Sequence, residues 1–232
     1  MPLFKEIKDS FLHLIFPHIC EGCGSDILDK ESQLCIRCTE ALPETHFESH
    51  PNNPVEKKFW GRLQLQTATA QYYFTSESLI QRLTHQFKYR GNKELGFQLG
   101  RMMGDSLRRS GRFHVDALIP LPLFPNKERK RGFNQSVILC RGIAEYLQVA
   151  VLENVIIRPQ HTETQTHKGR IERWRNMEGK FVLVNKEAIA NKHVLLVDDV
   201  VTTGATLESC GNEILKAENV RLSIACLCDA TR

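Results

Sequence analysis

Two adjacent carboxylates, Asp198 and Asp199, close a short branched apolar run, Val194-Leu195-Leu196-Val197. Val200, Val201, Thr202, Thr203, Gly204, Ala205 and Thr206 follow them. A run that short and branched reads as a strand buried on both faces, as in a parallel sheet. Leu207 to Leu215 then carries a helical pattern. Strand, turn, helix is where open α/β sheets put ligands. The turn aims backbone N–H groups into one concavity at a helix start, where the helix dipole adds partial positive charge. Thr202, Thr203 and Thr206 add hydroxyl donors, and Gly204 permits a positive φ and close approach of a ligand. Such a concavity suits a phosphate monoester, and the acid pair suits the donors of a vicinal diol. A phosphate beside a diol describes a ribose 5-phosphate. On composition alone the same residues also describe an ordinary βα turn with capping threonines and a solvated acid pair.

Taken whole, Lys192 to Thr206 resembles the phosphoribosyl pyrophosphate (PRPP) motif of type I phosphoribosyltransferases, with every key position filled. The resemblance implies that Asp198 and Asp199 hold the ribose hydroxyls. It puts Val200, Thr202, Thr203, Gly204, Ala205 and Thr206 around the 5-phosphate, and Mg2+ with the PRPP. No Gly-Lys-Thr/Ser ending is present, so the string is not a Walker P-loop.

A second constellation lies near the N-terminus. Cys20-x-x-Cys23 and Cys35-x-x-Cys38 are separated by eleven residues. Each pair can present two thiolates to one tetrahedral ion, and this is zinc-ribbon spacing. Redox-active or free cysteines are the alternative, but a redox site wants one CxxC opening a helix. Four protein ligands leave no open position, so the expected Zn2+ is structural, and it supplies stability that so small a segment cannot bury for itself.

The elements that must position these groups follow from periodicity and breakers. Phe4, Ile7, Phe11, Leu14 and Ile15 recur at helical spacing until Pro17. Residues 43–58, with Pro43, Pro51 and Pro54, read as a linker. Ala70–Phe74 is an expected strand. A helix through Leu79, Ile80, Leu83 and Phe87 starts at Ser76 or Ser78 and stops at Gly91. A second helix is expected from about Lys93 to Ser110. Arg82, Lys88, Arg90 and Lys93 form either a solvated face or a basic rim beside the pocket. Val115–Leu123 reads as a strand ended by prolines, Val155–Ile157 as a short strand, and about Arg221 to Cys228 as the last one. Cys140, Cys210, Cys226 and Cys228 read as buried thiols.

Between the proline-ended strand and a helix through Leu139, Ile143 and Leu147 runs Lys127-Glu128-Arg129-Lys130-Arg131-Gly132-Phe133-Asn134-Gln135-Ser136. A basic, glycine-bearing loop there is an anion cradle, a nucleic-acid patch or a solvated patch. Together with Ile119-Pro120-Leu121-Pro122, and with Thr164, Arg173, Asn176 and Phe181 further on, this string resembles the ComF family of competence-associated, phosphoribosyltransferase-like proteins. The likeness covers nearly the whole chain. It departs at His167-Lys168, where the family usually has a leucine. It implies a type I phosphoribosyltransferase fold: α/β, a mainly parallel sheet flanked by helices, with a small N-terminal zinc-ribbon module. It also implies a role in natural transformation and DNA uptake, with competence-machinery proteins as partners. Arg129, Lys130, Arg131 and Gly132 become the pyrophosphate contacts, and Asp198, Asp199, Arg129 and Arg131 the catalytic set if transfer occurs. No residue declares the accepting base, so a non-catalytic module that binds single-stranded DNA and keeps the pocket as a sensor stays open. Lys127, Arg129, Lys130 and Arg131 beside Phe124 and Phe133 give that module a place, with charge for phosphates and rings for bases. His161, His167 and Trp174 are either loop surface or ligands and base-stackers.

The chain of 232 residues carries a formal charge of +4, which permits an anionic partner without requiring one. No apolar run approaches the ~20 residues of a membrane helix, and no secretion signal is read, so a cytoplasmic location is expected. The expected division is 1–58 for helix, zinc ribbon and linker, and 59–232 for the phosphoribosyltransferase domain.

Overall fold

The computed structural model describes residues 18–26, 32–159 and 181–230. The Phe4–Ile15 stripe and His161, Thr164, His167, Arg173, Trp174 and Asn176 lie outside them.

The apolar run becomes β6 (His193–Val201), whose first five residues are all buried. It is the middle strand of a five-stranded sheet completed by β1 (Ala68–Tyr73), β2 (Ala117–Pro120), β3 (Ala150–Val151) and β7 (Arg221–Asp229). The order is β1-β7-β6-β2-β3 and every pairing is parallel. Parallel strands buried on both faces need no alternation of apolar and polar residues, which is why β6 and β7 read as continuous apolar runs.

Helices cover both faces. On one lie α3 (Leu79–Tyr89), α4 (Lys93–Ser110) and α6 (Gln135–Leu147). On the other lie α7 (Ala205–Ile214), the segment after α2 (Pro54–Lys57), and an antiparallel hairpin of β4 (Ile156–Ile157) and β5 (Val182–Leu183). The α4–α6 crossing is close because it is built on glycine. A Cβ on Gly142 would lie 2.4 Å from the Phe97 carbonyl oxygen, and one on Gly100 2.5 Å from that of Leu139.

The connections fix where a ligand can bind. From β2 the chain passes through α6 to β3, away from β6; from β6 it passes through α7 to β7, away from β2. The two crossovers lie on opposite faces. The winding therefore reverses between β2 and β6, and the crevice beyond their C-terminal ends is a topological switch point.

The acids stand near the C-terminal end of the strand, which runs on to Val201. Two expectations change in detail. Residues 43–58 do not behave as a free linker: Phe47 and Val55 are buried, and Asn53 caps α2 while its amide donates to the Ala68 carbonyl at 2.8 Å. The prolines and polar residues there serve caps and turns. The basic loop is mostly α5 (Pro125–Arg131), with Pro125 at its first turn and Gly132, at φ 80°, closing it. Among the described residues no helix is long and apolar enough to cross a membrane.

Candidate ligand site and metal centre

At the C-terminal end of β6 the two acids have different surroundings. Asp199 Oδ2 lies 2.8 Å from Lys88 Nζ, and both side chains are largely covered. Lys88 stands in the last turn of α3, so the rim reading holds for this residue. Asp198 Oδ1 accepts from Ser136 Oγ at 3.3 Å and from the Asp199 N–H at 2.8 Å. Ser136 opens α6, where Asn134 caps the helix through the Ser136 N–H. Burial, then the neighbouring Asp199 charge, pushes the Asp198 carboxyl up to about 7.

The hydroxyl-rich turn follows directly. Thr202, Thr203, Ala205 and Thr206 are exposed, Val200 is half-buried, and Gly204 is buried at φ 80°. A Cβ on Gly204 would sit 2.8 Å from the Phe59 ring, so the glycine is required both by backbone conformation and by space. Gly204 is the N-cap of α7 and supplies no side-chain cap, and the Ala205 N–H donates to Thr203 Oγ1 at 3.4 Å. From behind, Lys58 Nζ donates to the Thr202 carbonyl at 2.8 Å, and Arg62 donates to that of Thr203 at 3.3 Å.

Across the switch point stands α5. Lys127, Arg129 and Lys130 are exposed, and Arg131 is held by Gln135 Oε1 at 2.6 Å with its guanidinium 5.5 Å from the Tyr89 ring centre. The aromatic expectations need correcting. Phe133 is buried against Phe87, with ring centres 5.6 Å apart, so it cannot stack a base. One face of Phe124 is covered by Arg158, whose guanidinium lies 3.5 Å from its ring centre and 5.0 Å from that of Phe181. The ring that is exposed beside the basic helix is Tyr89, 60% accessible and 4.8 Å from His85.

Sequence reasoning assigned no role to Ser136, Lys58, Arg62 or Arg158. Ser136 alone carried a local signal, as the end of the basic string. The others reach the site through the fold. Arg158 follows β4; burial lowers its guanidinium below the ordinary value, opposed by nearby Cys210 and Asp198.

The four cysteines converge: the Sγ atoms of Cys20, Cys23, Cys35 and Cys38 lie within 4.8 Å of one another. Cys23 Sγ and Cys35 Sγ are 3.7 Å apart, close to the ~3.8 Å edge of a tetrahedron with Zn–S of about 2.3 Å. Backbone N–H groups of Gly22 and Cys35 point at Cys20 Sγ, at 3.4 and 3.3 Å, as knuckle geometry requires. Hydrogen bonds from Ser25 lower the Cys23 thiol to about 6, which favours the thiolate a metal takes. The donor set fits a closed four-sulfur metal site. For Mg2+ the fit is of another kind: Asp198 and Asp199 offer the carboxylate oxygens a hard cation takes.

The knuckle is docked on the pocket's own helix. Glu21 accepts from Gln86 through its carbonyl at 3.2 Å and from Asn92 through its carboxylate at 2.8 Å. Arg82 donates to the Gly22 carbonyl at 3.4 Å.

Residues 134–232 match the phosphoribosyl transferase domain. "Competence protein F" of Haemophilus influenzae is 30% identical over 211 residues, covering 88% of this chain and 86% of that protein. "DNA utilization protein YhgH" of Salmonella typhimurium is 30% identical over 219 residues, covering 90% and 89%. Among solved structures, the allosteric regulatory enzyme of purine biosynthesis is 19% identical with a TM-score of 0.38, over 56% of this chain and 25% of that one.

Proposed function

The chain belongs to the ComF family of competence and DNA-utilization proteins with a phosphoribosyltransferase fold, and on that premise we propose that it binds PRPP at the switch-point crevice in the cytoplasm, in the service of DNA uptake. Asp198 and Asp199 accept from the ribose hydroxyls. The Thr202–Thr206 turn, with Val200 beneath it, takes the 5-phosphate. Arg129, Lys130, Arg131 and the Gly132 backbone take the pyrophosphate. The observation that supports this reading is the topology, which puts a helix N-terminus after β6 and the basic α5 after β2 at the same switch point.

The arrangement permits phosphoribosyl transfer. The C1–O bond to pyrophosphate breaks, C1 gains oxocarbenium character, and an acceptor lone pair forms the new bond. Arg129 and Arg131 neutralise the departing pyrophosphate. The acid pair holds the ribose so that C1 faces both. Bound Mg2+ supplies charge neutralisation on the pyrophosphate oxygens. The four-cysteine cluster holds Zn2+ in a structural role.

Calorimetric titration of the full chain with PRPP and Mg2+ tests the reading. Saturable one-to-one binding is expected, and no heat or saturation up to millimolar PRPP would sink it.

A second reading has its own observation. Tyr89 is an exposed ring beside Arg131 and the basic α5, which is the pattern for single-stranded DNA. Relatives named for competence and DNA utilization favour such a partner. The two readings share α5, so they predict competition.

A further inference from the structure

We propose that Lys58 and Arg62 are positioning residues for the 5-phosphate pocket: by holding the Thr202 and Thr203 carbonyls they turn the following N–H groups toward the phosphate. The inference rests on the PRPP reading above and deepens it, because it assigns the pocket's geometry to a segment that ends 130 positions before the motif begins at Lys192.

A peptide unit is planar and trans, so its C=O and N–H point in opposite directions, and the described chain has no cis bond. The Thr202 carbonyl is directed at Lys58 Nζ, 2.8 Å away. The Thr203 N–H, in the same peptide unit, is therefore directed away from Lys58. The Thr203 carbonyl is directed at Arg62 Nη1, 3.3 Å away, and the Gly204 N–H is fixed in the same manner. A phosphate-binding turn needs this polarity. A carbonyl facing the ligand would repel the phosphate oxygens, and a turn of exposed threonines and one glycine has little else to prevent that flip.

The two cations are themselves held. Lys58 Nζ also pairs with Asp229 Oδ1 at 3.0 Å, with the side chains 12% and 3% accessible. Asp229 ends β7, the neighbour of β6, so the ammonium is wedged between a strand end and the turn. Arg62 pairs with Glu208 in the first turn of α7 and donates to the Lys58 carbonyl at 3.0 Å. Between them Phe59, 1% accessible, lies under Gly204. One short stretch, residues 58–62, thus supplies the floor of the turn and both of its carbonyl partners. Its rigidity comes from the Asn53-capped α2 and buried Val55.

The test uses the full chain, with ribose 5-phosphate as one ligand and pyrophosphate with Mg2+ as the other. Lys58→Met with Asp229→Asn removes the cation without orphaning a buried acid. Arg62→Met removes the second partner at a side chain that is 41% accessible. The expected result is about tenfold weaker ribose 5-phosphate binding in the first variant and about threefold in the second, as for lost charge-assisted hydrogen bonds. Pyrophosphate affinity should stay within about twofold, and Lys58→Arg should recover most of the loss. A merely structural role would lower the melting temperature and move both ligands together, which would overturn the proposal. If the Lys58 variant does not fold, Arg62→Met decides: unchanged ribose 5-phosphate affinity overturns it. A wild-type chain that binds pyrophosphate and PRPP equally well with either variant removes only this inference. A wild-type chain that binds no phosphoribosyl ligand removes the PRPP reading and this inference with it.

Discussion

Two adjacent carboxylates of one sequence motif are different chemical groups here. Asp199 faces the Lys88 ammonium at 2.8 Å, while desolvation and the neighbouring Asp199 charge raise the half-buried Asp198 from 3.8 to about 7. The sign of the pH effect follows. Between about pH 4 and pH 7 the folded chain keeps a proton on Asp198 that the unfolded chain has released, so stability falls as pH rises through that window and then levels. Asp198→Asn should remove that slope, which melting temperatures from about pH 5 to pH 8 will read. Mg2+ competes with the same proton, so Mg2+-dependent PRPP affinity should rise from pH 6 to 8 in the native chain; a flat profile would place the metal elsewhere. Asp198→Asn with Asp199→Asn should weaken PRPP binding by ~2–3 kcal/mol, the cost of lost charged hydrogen bonds, with the fold intact. Unchanged affinity in calorimetry would refute the assignment. The acids and threonines were legible because strand, acids and turn are contiguous. Ser136, Lys88 and the Lys58–Arg62 stretch come from three other segments, and the fold is what brings them to the acids and the turn.

Among the elements, α3 joins two functions that the sequence presents as separate. Its N-terminal part carries Arg82 and Gln86, which bind the backbone of the cysteine knuckle, and its last turn carries Lys88 to Asp199. Cys20, Leu34 and Cys38 share one hydrophobic cluster with Ile80, Leu83 and Phe87 of that helix. The cysteine module therefore packs against the helix that carries Lys88. Protein purified in reducing buffer without added zinc should hold about one equivalent, as four sulfur ligands require. Stripping it with a chelator should cost thermal stability and also weaken PRPP binding several-fold, through the loosened end of α3. A chain that loses zinc yet keeps full PRPP affinity would show the two sites to be independent. Helix ends here were readable in the sequence: Ser78 caps α3, and α4 runs over Lys93–Ser110 as its pattern indicates. Residues 43–58 were not, because prolines and polar side chains look alike in a linker and in a capped, packed turn. Asn53 separates the two only when its amide is seen on the Ala68 carbonyl.

For the molecule as a whole, the formal charge of +4 is modest, so any polyanion must be met locally rather than by the total field. The α5 helix offers such local charge: Lys127, Arg129, Lys130 and Arg131 stand within five positions, and Tyr89 is an exposed ring beside them. Phosphate neutralisation gives affinity that drops steeply with salt, and stacking adds about 1–3 kcal/mol per base without strong sequence preference. Fluorescence anisotropy with a labelled single-stranded oligonucleotide at two salt concentrations should show both. Arg129→Ala with Arg131→Ala should reduce the salt slope by about two contacts. Tyr89→Ala should lower affinity and leave that slope unchanged, since a ring neutralises no phosphate. Phe133→Leu, a change at a buried ring, should leave DNA binding as it was. Because the same arginines are proposed to take pyrophosphate, PRPP with Mg2+ should displace the oligonucleotide in the native chain. If the oligonucleotide binds but PRPP does not displace it, DNA lies on another face and α5 serves the phosphoribosyl ligand alone. If the native chain shows no binding at low salt, the single-stranded DNA reading falls and α5 is left to the proposed pyrophosphate contact alone.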